Sequence, residues 1–188
     1  MTSFEQLPAG LPAPVDDGAA DHLGGRTLPA LRLPATTGGE VDLGALRGRT
    51  VIYVYPRTGI PGEPLPTGWD SIPGARGCTP ETCSFRDHHA ELRAAGAEVI
   101  GLSAQPAAEQ AEAAGRLHLP FPLLSDAGLR LGAALDLPTF SVDGMTLYRR
   151  LTLVVVDGVI DHVFYPVFPP DGHAAEVLEW LRGHPVAG

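Results

Sequence analysis

The sequence predicts an α/β fold: a central mixed β-sheet with helices on both faces and an N-terminal β-hairpin ahead of it. Three observations predict it. Apolar strand-like runs alternate with helical segments, which implies parallel strands joined by crossover helices. Thr50-Val51-Ile52-Tyr53-Val54-Tyr55 is β-branched and aromatic, the pattern of a strand buried on both faces. Near the C-terminus, two such runs flank Asp157-Gly158, a strong hairpin signal that adds antiparallel strands.

The elements follow in order. Residues 1–24 are rich in Pro, Gly, Ala and Asp and read as a flexible N-terminal arm, with a short helix near 19–23. Residues 25–188 form one domain carrying an inserted loop, 57–77. In 28–43, Leu31 and Leu33 alternate with small or polar neighbours. Thr37-Gly38-Gly39 supplies the turn, and Val41 and Leu43 resume the alternation. The strand at 50–55 ends at Pro56. The loop 57–77 has four prolines and five glycines, and a connection of that length inside a domain is usually functional. Its Trp69 suits packing against the body.

A helix follows, with Thr79 as N-cap, Pro80 at its first position and Glu81 in the first turn. Phe85 and Leu92 form its apolar side, and it ends near Gly96. A strand over 98–103, a helix over 106–117 and a short strand over 121–124 come next. Ser125 or Asp126 caps a short helix reaching Ala134. Strands over 149–157 and 159–165 form the terminal hairpin. The last helix runs over 172–182 and buries Ala175, Val177, Leu178 and Leu181.

With 188 residues, 44% of them hydrophobic, the chain can bury a full core. Its formal net charge of −9 argues against nucleic acid or an anionic membrane as partner. All thirteen basic residues are arginines, which stay charged and bind anions with a planar fork. No stretch has the length of a membrane span, and Met1–Gln6 leads into no apolar run. A cytoplasmic location is expected.

The only two cysteines lie five residues apart in Gly77-Cys78-Thr79-Pro80-Glu81-Thr82-Cys83-Ser84-Phe85-Arg86-Asp87. Cys78 falls where the helix begins. Unpaired amides and the helix dipole there favour an anion, which predicts a lowered thiol pKa. Arg76 is near in sequence, and Arg149 or Arg150 can arrive from the sheet. A thiolate attacking a peroxide becomes a sulfenic acid, which condenses with a second thiol. Cys83 is the one other thiol in the chain. On a helix, the two Cα atoms stand roughly 8–9 Å apart, beyond the disulfide limit of about 7 Å. Bond formation therefore requires the helix to unwind. Other readings of the pair remain open: a static disulfide, two inert core cysteines, a metal site with His88 and His89, or a thioredoxin-type oxidoreductase. Its five-residue spacing disfavours the last.

The cassette resembles the active-site signature of peroxiredoxins of the peroxiredoxin Q (bacterioferritin comigratory protein) group. The likeness extends through Val51–Pro56, Phe121–Asp126 and Arg150–Leu153, over roughly residues 25–182. It implies a thioredoxin-like three-layer sandwich and a thiol peroxidase acting on hydrogen peroxide and organic hydroperoxides. It implies Cys78 as the peroxidatic and Cys83 as the resolving cysteine, joined in an intramolecular disulfide. Thioredoxin or a similar thiol donor would reduce that bond. Arg150 matches the arginine that holds the thiolate, with Arg149 as the fallback if the register shifts by one. Neither metal nor organic cofactor is implied, and the group points to a monomer or weak homodimer. A redox-sensing module on the same fold, with weak turnover, is the alternative.

One departure stands out. In the group's Pro-x-x-x-Thr-x-x-Cys pattern, the threonine hydroxyl serves the peroxide pocket. Here Ala75 occupies the threonine position and Ser71 the proline position, while Pro56 keeps the strand end some fifteen residues earlier. If the loop folds back, Thr58 supplies the hydroxyl. Otherwise the pocket lacks one donor, at a cost of about 10²–10³ in rate.

Overall fold

A computed structural model describes residues 6–185. Strands β1 (Arg32–Pro34) and β2 (Glu40–Asp42) form the expected hairpin, with Leu33 opposite Val41. Strand β3 (Arg49–Val54) follows and is buried along its whole length. After the inserted loop come helices α1 (Cys78–Asp87) and α2 (His89–Ala94). Strand β4 (Ala97–Ser103), helix α3 (Ala107–Arg116), strand β5 (Leu123–Ser125) and helix α4 (Arg130–Leu135) continue the alternation. A second hairpin, β6 (Thr139–Val142) and β7 (Met145–Tyr148), precedes β8 (Leu151–Val156), β9 (Val159–Phe164) and α5 (His173–Gly183).

The central sheet has the order β5-β4-β3-β8-β9. Pairing is parallel for β3–β4 and β4–β5, and antiparallel for β3–β8 and β8–β9. The sheet is therefore mixed, as expected. The alternation of side chains along β3 divides the core in two. Ile52 and Val54 face a cluster with Leu33, Leu43, Leu131 and Leu135. Val51 and Tyr53 face Phe85, Leu92, Ala113, Val177 and Leu181. Helix α4 and the first hairpin thus cover one face, and α1, α2, α3 and α5 the other.

Several local expectations need correction. The segment before residue 25 lies against the body: Ala20 and Leu23 are buried in the first core, and Tyr165 Oη donates to Asp17 at 2.8 Å. Turns, not a helix, occupy 19–23, and residues 1–5 lie outside the described residues. Helix α1 starts at Cys78 with Gly77 as its cap, so Thr79 and Pro80 sit inside the first turn. The Glu81 amide donates to the Gly77 carbonyl at 3.0 Å and closes that turn. A break at His88 divides the single helix expected up to Gly96. In α5 the buried position is Ala174, while Ala175 faces solvent. The β6–β7 hairpin around Asp143-Gly144 was not anticipated.

Gly77 fixes the start of α1. Its φ is +106°, and a Cβ there would lie 2.4 Å from Pro170 Cγ and 2.7 Å from Leu7 Cδ2. Both the backbone angle and the neighbours require glycine. Gly77→Ala is expected to destabilise the fold by about 1–3 kcal/mol, read as a lower urea midpoint.

Candidate active site

Cys78 is the first residue of α1 and only 2% exposed. Two N–H groups point at its sulfur. The Arg57 backbone amide donates to Sγ at 3.3 Å, and Arg150 Nη2 donates at 3.2 Å. The thiol lies 3.6 Å from the Ala75 carbonyl, which accepts from it. Strand β3 and the Tyr55-Pro56 pair that follows it deliver Arg57; the residues entering β8 deliver Arg150.

Arg150 is itself buried and densely tied. Its Nη1 forms an ion pair with Glu81 Oε2. Its Nη2 also donates to the carbonyls of Gly74, Ala75 and Arg76, each at 3.2 Å. One guanidinium therefore holds the sulfur, the end of the inserted loop and the first turn of α1 together. Arg149 points elsewhere. It is half-exposed, lies 3.5 Å from Asp17 and donates to the Thr139 carbonyl. Of the two arginines, Arg150 is the one in contact with the Cys78 sulfur.

The expected lowering of the Cys78 pKa does not survive burial. Desolvation pushes the thiol up and outweighs the other influences. Arg150 is the largest influence in the opposite direction, the Glu81 carboxylate adds to the rise, and the Arg57 amide lowers it. Sequence position at a helix N-terminus omits both the dry surroundings and the neighbouring buried acid.

Glu81 was assigned only to the first turn of the helix. It is fully buried, and desolvation raises its pKa against the pull of Arg150. Its Oε1 has no hydrogen-bond partner among the described residues. Removing it leaves the Arg150 charge buried without its counter-ion. Glu81→Ala is accordingly expected to cost about 3–5 kcal/mol of stability in chemical denaturation.

The Thr58 hydroxyl is engaged away from the sulfur. Thr58 is buried, and its amide and hydroxyl both donate to Gln105 Oε1, at 2.9 and 3.1 Å. The Arg57 amide, one residue earlier, is the donor that meets the sulfur. Ala75 contributes its carbonyl to the same site. A main-chain N–H leaves no residue-type signal, so sequence reading missed it.

Cys83 lies on the same helix, partly buried, and no disulfide joins it to Cys78. The helix is continuous from Cys78 to Asp87, so bond formation between the two would require it to open. His88 Nδ1 lies 2.9 Å from the Ser84 carbonyl, and the His89 ring packs 5.6 Å from Phe121. Among the described residues, no group of three or more His, Cys, Asp or Glu is placed to hold a metal ion. Arg86 and Asp87 form an ion pair at 2.8 Å. Among the described residues, no helix is long and apolar enough to cross a membrane.

The Redoxin family model matches residues 23–179. A putative peroxiredoxin bcp from Coxiella burnetii is 32% identical over 159 residues, covering 82% of this chain and 95% of that protein. A chloroplastic peroxiredoxin Q from Oryza sativa subsp. japonica is also 32% identical over 159 residues. That match covers 84% of this chain but only 66% of the rice protein's length. Among solved structures, peroxidoxin BcpB from Mycobacterium tuberculosis superposes with a TM-score of 0.68 at 29% identity. It covers 86% of this chain and 97% of that one.

Proposed function

The chain belongs to the Redoxin family, in its peroxiredoxin Q and bcp group with a thioredoxin-like fold, and from that premise we propose that it is a thiol peroxidase with Cys78 as its nucleophile. The observation that carries the reading is the pair of N–H donors, Arg57 amide and Arg150 Nη2, aimed at one sulfur.

The chemistry follows from those contacts. The Cys78 thiolate attacks the outer oxygen of a hydroperoxide. An S–O bond forms, the O–O bond breaks, and the inner oxygen leaves with the electron pair and takes a proton. Sulfur is oxidised to sulfenic acid, and the peroxide is reduced to an alcohol or water. Arg150 and the Arg57 amide stabilise negative charge on sulfur before attack. Once α1 unwinds, Cys83 displaces the sulfenic hydroxyl as water and forms the Cys78–Cys83 disulfide. Thioredoxin or a similar dithiol then reduces that bond by thiol–disulfide exchange. Recycling by such a dithiol fits a reducing compartment such as the cytoplasm.

One observation favours a second reading, a redox sensor with little turnover: Ala75 stands at the threonine position and the Thr58 hydroxyl is bonded to Gln105, so no threonine hydroxyl serves the sulfur. A thioredoxin-coupled assay separates the two. Sustained peroxide consumption over many cycles is expected of the peroxidase. One stoichiometric oxidation followed by arrest would support the sensor instead.

A further inference from the structure

We infer that the inserted loop 57–77 makes this site selective for hydrogen peroxide and comparably small peroxides, with Leu65 and Trp69 as the residues that exclude bulky organic hydroperoxides. The inference rests on the peroxidase reading and names its substrate class.

The space beside Cys78 is small. The cavity measures about 10 Å³, room for about one water-sized molecule. Gly59, Leu65 and Trp69 of the loop form one side, and Thr79 and Pro80 of α1 form another. The Thr79 hydroxyl is buried and has no hydrogen-bond partner among the described residues. In the attack, the carbon of an organic hydroperoxide sits only two oxygens from the sulfur. A bulky group on that carbon would meet these walls.

The walls are anchored. Trp69 is 3% exposed and clusters with Ala75, Val142 and Leu147, with Leu65, Ile72, Phe140 and Met145 packed around them. The loop is thus docked on the β6–β7 hairpin through its own apolar core. Polar ties reinforce it. The Thr67 amide donates to Asp143 Oδ2 at 2.7 Å, and Arg116 Nη2 donates to the Gly59 carbonyl at 3.1 Å. The Arg57 guanidinium sits 3.8 Å from Glu63 and 3.5 Å from Glu109. A loop held at this many points along its length resists being pushed aside by a large substrate.

The test is a set of stopped-flow rate constants for the reduced protein with hydrogen peroxide and with cumene hydroperoxide. The wild type is expected to prefer hydrogen peroxide by about tenfold or more, and Leu65→Ala and Trp69→Ala are each expected to narrow that ratio by about tenfold. Thermal melts check that the variants fold; if Trp69→Ala does not, the half-buried Leu65 decides alone. A wild type that reacts with cumene hydroperoxide as fast as with hydrogen peroxide would overturn the selectivity. A ratio unmoved in folded Leu65→Ala would overturn the role of the loop. Either result leaves the peroxidase reading intact. A wild type inert to both peroxides removes that reading and this inference with it.

Discussion

Cys78→Ser is expected to abolish peroxide reduction, while Cys83→Ser keeps the first oxidation and loses the disulfide. Serine matches cysteine in shape and can accept the same N–H bonds from Arg57 and Arg150, so the fold should remain. It lacks the one atom that can be oxidised to a sulfenic acid at ordinary pH. Loss of activity with an unchanged melting curve therefore reports chemistry and not unfolding. In Cys83→Ser the sulfenic acid at Cys78 has no second thiol within the chain. It should accumulate and be trapped by a sulfenic-acid reagent, detected by peptide mass. Full peroxide turnover by Cys78→Ser would mean that the nucleophile lies elsewhere. Unimpaired thioredoxin-coupled turnover by Cys83→Ser would remove the resolving role.

Arg150→Met is expected to slow the reaction with peroxide by about 10²–10³. Its pH profile should also move to the alkaline side. The sign follows from the charges around the sulfur. Burial pushes the Cys78 thiol up, and Arg150 is the largest influence pulling it down. Removing the guanidinium therefore raises the thiol pKa further, leaving less thiolate at any fixed pH below it. A merely structural loss would lower the amount of folded protein without moving the profile. That distinction is needed because Arg150 also pairs with Glu81 and binds the carbonyls of Gly74, Ala75 and Arg76. Arg149→Met, one residue away and half-exposed, is the companion variant and should retain the wild-type profile.

What the sequence disclosed depended on whether the signal was local. The cassette around Cys78 is contiguous, so its chemistry is legible in the order of its residues. The strand at 50–55 and the Asp157-Gly158 hairpin likewise carry their pattern within a few residues. Asp143-Gly144 offers a similar turn signal, yet its flanking strands have four residues each, too short for the alternation to stand out. Glu81 carried no sign of burial: an acid in a first turn reads as a dipole partner, and only the arrival of Arg150 from across the sheet makes it a buried counter-ion. The pKa expectation failed for the same reason. A helix start is visible in sequence, but the solvent exclusion that opposes it is a tertiary property. Arg57 was invisible as a donor because its contribution is a backbone amide. The segment around Leu23 looked like an arm because glycine, proline and aspartate mark it, while its few apolar residues were enough to seat it in the core.

The central claim is that Cys78, under the donors of Arg57 and Arg150, is where a peroxide oxygen is first transferred. The most direct measurement mixes reduced protein with one equivalent of hydrogen peroxide in a stopped-flow instrument, then maps the product by mass. The predicted result is a second-order reaction far faster than that of free cysteine, ending in a Cys78–Cys83 disulfide. A rate no greater than free cysteine's, with Cys78 recovered as a thiol, would contradict it.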